Sequence, residues 1–196
     1  MTERKAKVIR ETTETNIRVE LNIDGSGQSE ITTGVRMFDH LLSQLAQHGV
    51  FDMKVSASGA DQHHVVEDVA IGLGKAFNQA LREKEGIVRM ADASVPMDEA
   101  LATVVVDIGG RVYSTIEAEF NEAAIGDLDA DLVRHFVTSL AAEAKINLHA
   151  RVLSGINDHH KAEALFKALG RALDKATRID DRLRGRVPST KEVIEG

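Results

Sequence analysis

The chain nearly repeats itself. Sliding the sequence by 96 positions lays His63, His64 and Glu67 on His159, His160 and Glu163. The same shift pairs Leu73 with Leu169, Gly74 with Gly170, Ala76 with Ala172 and Ala80 with Ala176. Upstream, a shift of 95 lays His40 on His135, Leu45 on Leu140 and Ala46 on Ala141; the one-residue difference fits an indel in the connection between the paired segments. Two matching halves are a more specific signal than either motif alone, because they demand one element order used twice.

The periodicities agree between halves. In "VRMFDHLLSQLAQHG", Val35, Phe38, Leu41, Leu42 and Leu45 stand at helical spacing, with Gly49 placed for a C-cap. In "HHVVEDVAIGLGKAFNQALREKEG", Val66, Val69, Leu73, Phe77 and Leu81 form a stripe closed by Gly86. "DADLVRHFVTSLAAEA" and "NDHHKAEALFKALGRALDKA" are their counterparts. The segments between alternate or carry β-branched runs, among them "AKVIRET", "NIRVELNI", "SEITT", "FDMKVSA", "LATVVVDI", "VYSTIEAEF" and "INLHARVL". "DGSG" at 24–27 and "GG" at 109–110 read as hairpin turns. Each half therefore reads β-β-β-α-β-α, the first strand of the second half carrying the weakest pattern. The expected class is α+β, with mixed or antiparallel sheets and helices packed on one face. We expect half-repeats over 1–85 and 86–180 and a tail over 181–196, packed as one unit because no Pro-, Gly- or Ser-rich linker divides them.

Composition narrows the function. With no Cys, neither a disulfide framework nor a thiolate metal site is available. A net charge of −7 argues against sequence-independent nucleic-acid binding, and aromatics at 4% argue against a base-stacking platform. No run of 18 apolar residues predicts a membrane span, and the polar start "MTERKAKVIRETTETN" lacks an apolar signal core. A cytoplasmic protein is expected.

The histidines carry the chemistry. On a helix, residues i and i+4 sit about 40° apart and about 6 Å along the axis, so His63 with Glu67, or His159 with Glu163, can share one ion. The neighbouring His is rotated by about 100° and points at another. One assignment uses every motif residue once: His40, His64, His159 and Glu163 for one metal, and His135, His160, His63 and Glu67 for the other. Three imidazoles and a carboxylate suit Mn, Fe, Zn or Ni and leave positions open for substrate. A lone H-H-x-x-E is as easily a surface accident; the duplication decides for a site. A dinuclear hydrolase and a metal-storage protein are the competing classes.

The stretches "FDHLLSQLAQHG", "HHVVEDVAIGLG", "VPMDEALATVVVDIGGR", "NDHHKAEALFKALGRAL" and "PSTK" together resemble the imidazoleglycerol-phosphate dehydratase family of histidine biosynthesis, from about Arg10 to Lys191. The resemblance implies a hydro-lyase converting D-erythro-imidazole glycerol phosphate to imidazole acetol phosphate through a metal-bound imidazolate. It implies two Mn²⁺ per active site, other divalent metals being possible. It also implies a homo-oligomer of two dozen chains with active sites built between subunits. Glu14 resembles the family's acid/base glutamate and His48 a further catalytic and substrate-contacting residue. Arg89, Arg111, Lys167, Ser189, Thr190 and Lys191 resemble the phosphate and substrate contacts. His40, His63, Glu67 and His159 would also touch substrate. One departure is a lead-in to the first His-His, "SASGADQHHVVED", shorter than the family's usual one.

Overall fold

The computed structural model describes residues 3–183 and 185–194. The first half runs β1 (Lys5–Glu11), β2 (Thr15–Asn22), β3 (Ser29–Thr32), α1 (Arg36–Gly49), β4 (Asp52–Gly59) and α2 (Gln62–Leu81). The second runs β5 (Met90–Met97), β6 (Ala100–Asp107), β7 (Tyr113–Glu117), a small hairpin of β8 (Ala124–Ile125) and β9 (Leu128–Asp129), α3 (Asp131–Ala144), β10 (Asn147–Ser154) and α4 (Asp158–Thr177). The repeated β-β-β-α-β-α order is present in both, and the class is α+β.

The two four-stranded sheets have matching orders, β1-β2-β4-β3 and β5-β6-β10-β7. In each, the third strand pairs parallel with the strand after the following helix, β3 with β4 and β7 with β10, while the remaining pairs are antiparallel. This corrects the two hairpin turns. Residues 24–27 and 109–110 do turn the chain, but β4 lies between β2 and β3, and β10 between β6 and β7. A Gly-rich turn reports a reversal of direction and not which strand becomes the neighbour.

Strand alternation makes one face of each sheet apolar. β2 turns Ile17, Val19 and Leu21 inward, and β6 turns Ala102, Val104 and Val106 inward. Against these faces pack the helices, α2 on β1 and β2, α4 on β5 and β6. Within the helical layer the partners come from opposite halves: α1 packs on α4 and α2 on α3. Phe38, Phe136 and Phe166 join the pairs at ring separations of 5.3 and 5.2 Å.

The duplicated glycines explain how close these pairs come. A Cβ on Gly74 would lie 2.7 Å from the Leu140 carbonyl oxygen of α3, and one on Gly170 would lie 2.6 Å from the Leu45 carbonyl oxygen of α1. Both obstacles are backbone, so only a residue without a side chain fits. Two helix ends differ from the sequence reading, and one strand is hard to read in it. The left-handed residue ending α1 is Val50 (φ 56°), whose N–H bonds back to the carbonyls of Ala46 and Gln47, while Gly49 is needed because Phe51 lies over it and leaves no room for a Cβ. α2 stops at Leu81, with Arg82 already left-handed, rather than running to Gly86. β5 is an edge strand of small residues with Pro96 in it, which sheet edges tolerate and which hides the strand from periodicity.

Gly74→Ala and Gly170→Ala should each lower stability by about 1–3 kcal/mol, since helix backbones must separate to admit the methyl group. Denaturant midpoints measure this. Ala76→Gly, elsewhere on α2, serves as a control that opens space at a buried position without forcing backbones apart.

Candidate metal centre

Each cross-half helix pair brings three motif side chains together. At the α1/α4 pair, His40 Nε2 lies 3.0 Å and His159 Nε2 lies 3.2 Å from Glu163 Oε2. At the α2/α3 pair, His135 Nε2 lies 3.3 Å from Glu67 Oε1, and the His63 and His135 rings stack at 4.9 Å. In both groups the ligand atoms fall within 4.8 Å of one another. The i, i+4 spacing does what helix geometry requires, and the third member arrives from the other half of the chain.

The donor set fits a cation. His135 Nε2 is buried and makes no hydrogen bond, although Glu67 is within ion-pair reach. A ring nitrogen withdrawn from water and facing a carboxylate without bonding it is the arrangement a bound ion would complete. Glu163 is the more buried of the two carboxylates, its side chain 8 % exposed. Burial alone would push its pKa up. The Lys167 ammonium, 2.6 Å from Oε1, and His40 override that and hold it at about 2, so the group stands ready as an anion.

His64 and His160 do not join these groups. Each is turned to a carboxylate of its own: His64 Nδ1 to Asp61 Oδ2 at 2.6 Å, His160 Nδ1 to Glu99 Oε2 at 2.8 Å. These bonds raise both imidazole pKa values and, with backbone N–H groups, hold Glu99 at about 2. Within a single chain, therefore, each four-ligand set anticipated from the sequence is one imidazole short. Asp61 and Glu99 went unnoticed in the sequence. Asp61 had a signal, because it immediately precedes the helix and is matched by Asn157 under the 96-residue shift, marking both as N-caps. Glu99 had none.

Glu14, which by sequence looks like a solvated loop residue, lies in the β1–β2 turn with Oε2 3.5 Å from His64 Nε2. The turn is fixed at several points. Thr12 Oγ1 accepts the N–H groups of Glu14 and Thr15, and Ala60 N–H donates to Glu14 O. The Thr15 hydroxyl donates to Asp68 Oδ2 in α2, whose other oxygen accepts Arg10 Nε at 2.7 Å. Asp68 follows Glu67 directly, so one helix turn carries a candidate metal ligand on one face and holds the Glu14 turn on another.

His48 ends α1 half-buried. Burial, then the charges of Lys167 and Arg171, lower its pKa, which keeps it neutral near pH 7. Arg89 makes a double contact with Asp107 (2.7 and 3.1 Å) and donates to the Pro188 carbonyl at 2.7 Å. Gly86 and Val88 bond to Arg186 and Arg178, so Arg89 sits where the tail is tied down, immediately before Ser189, Thr190 and Lys191. Ser189 Oγ accepts the Lys191 N–H within a tight turn. Arg111 is exposed on the β6–β7 connection, with only its carbonyl engaged among the described contacts.

Comparison with known proteins follows the same line. A family model described as imidazoleglycerol-phosphate dehydratase matches residues 33–173. A protein of that name from Dehalococcoides mccartyi is 61% identical over the full length of both chains. One from Methanothermobacter thermautotrophicus is 51% identical over 97% of this chain and 98% of its own. Among solved structures, the imidazoleglycerol-phosphate dehydratases of Staphylococcus aureus and Pyrococcus furiosus each superpose with a TM-score of 0.83, at 32% and 36% identity. They cover 90% and 95% of this chain and 99% of their own.

The Thr15–Asp68 bond gives a test of the scaffold. Thr15→Val leaves a buried carboxylate oxygen without its donor and should cost about 1–3 kcal/mol. Thr15→Ser, which keeps the hydroxyl, should cost less; equal losses in chemical denaturation would mean that the bond contributes nothing.

Proposed function

The chain belongs to the imidazoleglycerol-phosphate dehydratase family, the carbon–oxygen lyases of the dehydration step in histidine biosynthesis, and on that premise we propose a dinuclear, metal-dependent mechanism for it. The substrate is D-erythro-imidazole glycerol phosphate and the product imidazole acetol phosphate. The observation that carries the reading is the pair of symmetry-related ligand groups, His40/His159/Glu163 and His63/Glu67/His135, each one imidazole short, beside two motif imidazoles turned elsewhere.

His64 and His160 complete those groups on neighbouring copies of the chain, so that active sites form between subunits of a homo-oligomer, here taken as a 24-mer. Two divalent cations, Mn²⁺ by the family resemblance, would be held by these imidazoles and carboxylates and would supply Lewis acidity at the nitrogens of the substrate's imidazole ring. Glu14, next to His64 Nε2, moves the proton at the reacting carbons. His48, neutral near pH 7, accepts or donates a hydrogen bond at the substrate. Lys167 keeps Glu163 ionised. The tail anchored by Arg89 presents Ser189, Thr190 and Lys191 to the phosphate, with Arg111 as a further cation, groups suited to binding phosphate oxygens. Among the described residues no helix is long and apolar enough to cross a membrane, which fits a cytoplasmic enzyme.

Glu14→Gln should leave manganese content and assembly unchanged while turnover falls by roughly 10²–10⁴-fold, the effect of losing a general acid/base. Unchanged turnover would return Glu14 to an ordinary loop residue, and loss of metal would add it to the ligands. His64→Ala and His160→Ala should each abolish turnover and weaken assembly together. Either variant turning over normally with full metal would defeat the paired-site reading.

Metal uptake should also fall with pH. Only neutral imidazoles bind metal, and the carboxylates beside His64 and His160 raise their pKa values, so protons compete from a higher pH than at a free imidazole. Equilibrium dialysis against Mn²⁺ across pH 5–8 measures this; uptake that is flat over the range would contradict it.

A further inference from the structure

The two halves hold their second histidine in the same way by different means. In the first half, Asp61 has two tasks. Its Oδ1 accepts the His64 backbone N–H and caps α2, while Oδ2 accepts from His64 Nδ1 at 2.6 Å. The matching residue of the second half is Asn157, which caps α4 through its side-chain oxygen by accepting the N–H groups of His159 and His160. Asn157 does not reach the ring. A carboxylate from elsewhere does: Glu99, in the turn between β5 and β6, puts Oε2 2.8 Å from His160 Nδ1. Its Oε1 meanwhile accepts the N–H groups of Ile156 (3.1 Å) and Asn157 (2.8 Å). Capping thus does not require a charged residue, since Asn serves in one half. What both halves retain, through residues unrelated by the repeat, is a carboxylate on Nδ1.

We infer that Asp61 and Glu99 are positioning residues that fix the ring proton of His64 and His160 on Nδ1 and so present the Nε2 lone pair to a cation. A carboxylate can only accept, so the bonded nitrogen must carry the hydrogen, and a neutral ring then has its lone pair on the other nitrogen. The distances select Nδ1. The carboxylates on the far side, Glu14 at 3.5 Å from His64 Nε2 and Asp98 at 3.7 Å from His160 Nε2, lie too far for a short hydrogen bond. A partner of this kind on the non-ligating nitrogen is a common device for orienting metal-binding imidazoles. The inference rests on the reading that His64 and His160 are ligands.

The experiment exploits the difference between Asp61's two tasks. Asp61→Asn keeps the cap, because Asn caps as well as Asp, but turns an NH₂ donor toward Nδ1 and drives the ring proton onto Nε2. Asp61→Ser also caps, but its shorter side chain does not extend to Nδ1, so the ring loses its carboxylate without facing an amide donor. A purely structural role predicts that Asn, the closer isostere, is the milder change. The tautomer role predicts the reverse. Mn²⁺ affinity of the full chain, measured by equilibrium dialysis at fixed pH, should fall roughly 10–100-fold in Asp61→Asn and less in Asp61→Ser. Glu99→Gln should fall similarly. Denaturant midpoints run alongside exclude general unfolding. In a His64→Ala background, Asp61→Asn should add nothing, since its effect passes through that ring. Asn milder than Ser, wild-type affinity in Asp61→Asn, or an undiminished effect in the His64→Ala background would each overturn the inference. A wild-type chain that takes up no Mn²⁺ would instead remove the ligand reading on which it stands.

Discussion

Both candidate ligand groups depend on how closely two pairs of helices approach. α1 meets α4 at Gly170 and α2 meets α3 at Gly74, each glycine lying against a carbonyl of the facing helix. Because the approach is backbone to backbone, it fixes the spacing of the helices independently of side-chain rotamers. That spacing sets His40 over His159 and Glu163, and His135 over His63 and Glu67. A Leu at either glycine would still be apolar and helical, yet it would move one imidazole, His40 or His135, away from the carboxylate on the facing helix. The sheets hold the helices, the glycines set their separation, and the ligand groups follow from that separation.

The second layer of control is electrostatic. In a chain of net charge −7, particular basic groups are set against particular carboxylates. Lys167 offsets the desolvation of Glu163, and Arg89 offsets Asp107 while holding the tail. His48 is kept neutral by burial and nearby cations. The carboxylates near the outward-turned histidines act in the opposite sense and favour protonated rings. His48 and the pair His64 and His160 are thus pushed in opposite directions, the first toward the neutral ring and the others toward the protonated one.

Much of this was legible in the sequence, and the limits have physical causes. The repeat disclosed the element order and the eight motif residues, six of which the fold gathers into two groups, because duplication preserves helical spacing and residue type together. The i, i+4 pairs could be read because helix geometry is local. Strand order could not, since the placing of β4 between β2 and β3 is a tertiary outcome to which turn chemistry is blind. The short β8–β9 hairpin was missed because two-residue strands have no period. Its Asp127 accepts the N–H groups of Arg36 and Met37, capping α1 where Val35 has no capping side chain. Glu14 and Glu99 were opaque for a related reason: loop residues gain meaning from what they face, and both face a histidine about 50 or 60 positions away.

The exchange of helix partners between halves bears on how such a chain could have arisen. A protein consisting of one half would have one sheet and two helices, and the helix faces now turned to the other half would have nothing to cover them. Two such copies could satisfy each other, helix for helix, as the halves do now, and the candidate ligand groups would form only on that association. In one continuous chain the encounter is intramolecular and the two copies are free to differ. Under the same shifts His48 corresponds to Glu143, and Lys167 to Ile71. Identical halves would impose identical surroundings on both ligand groups; a fused pair can keep the ligands in register while making one end of the site basic, which an asymmetric molecule with a ring at one end and an anion at the other requires.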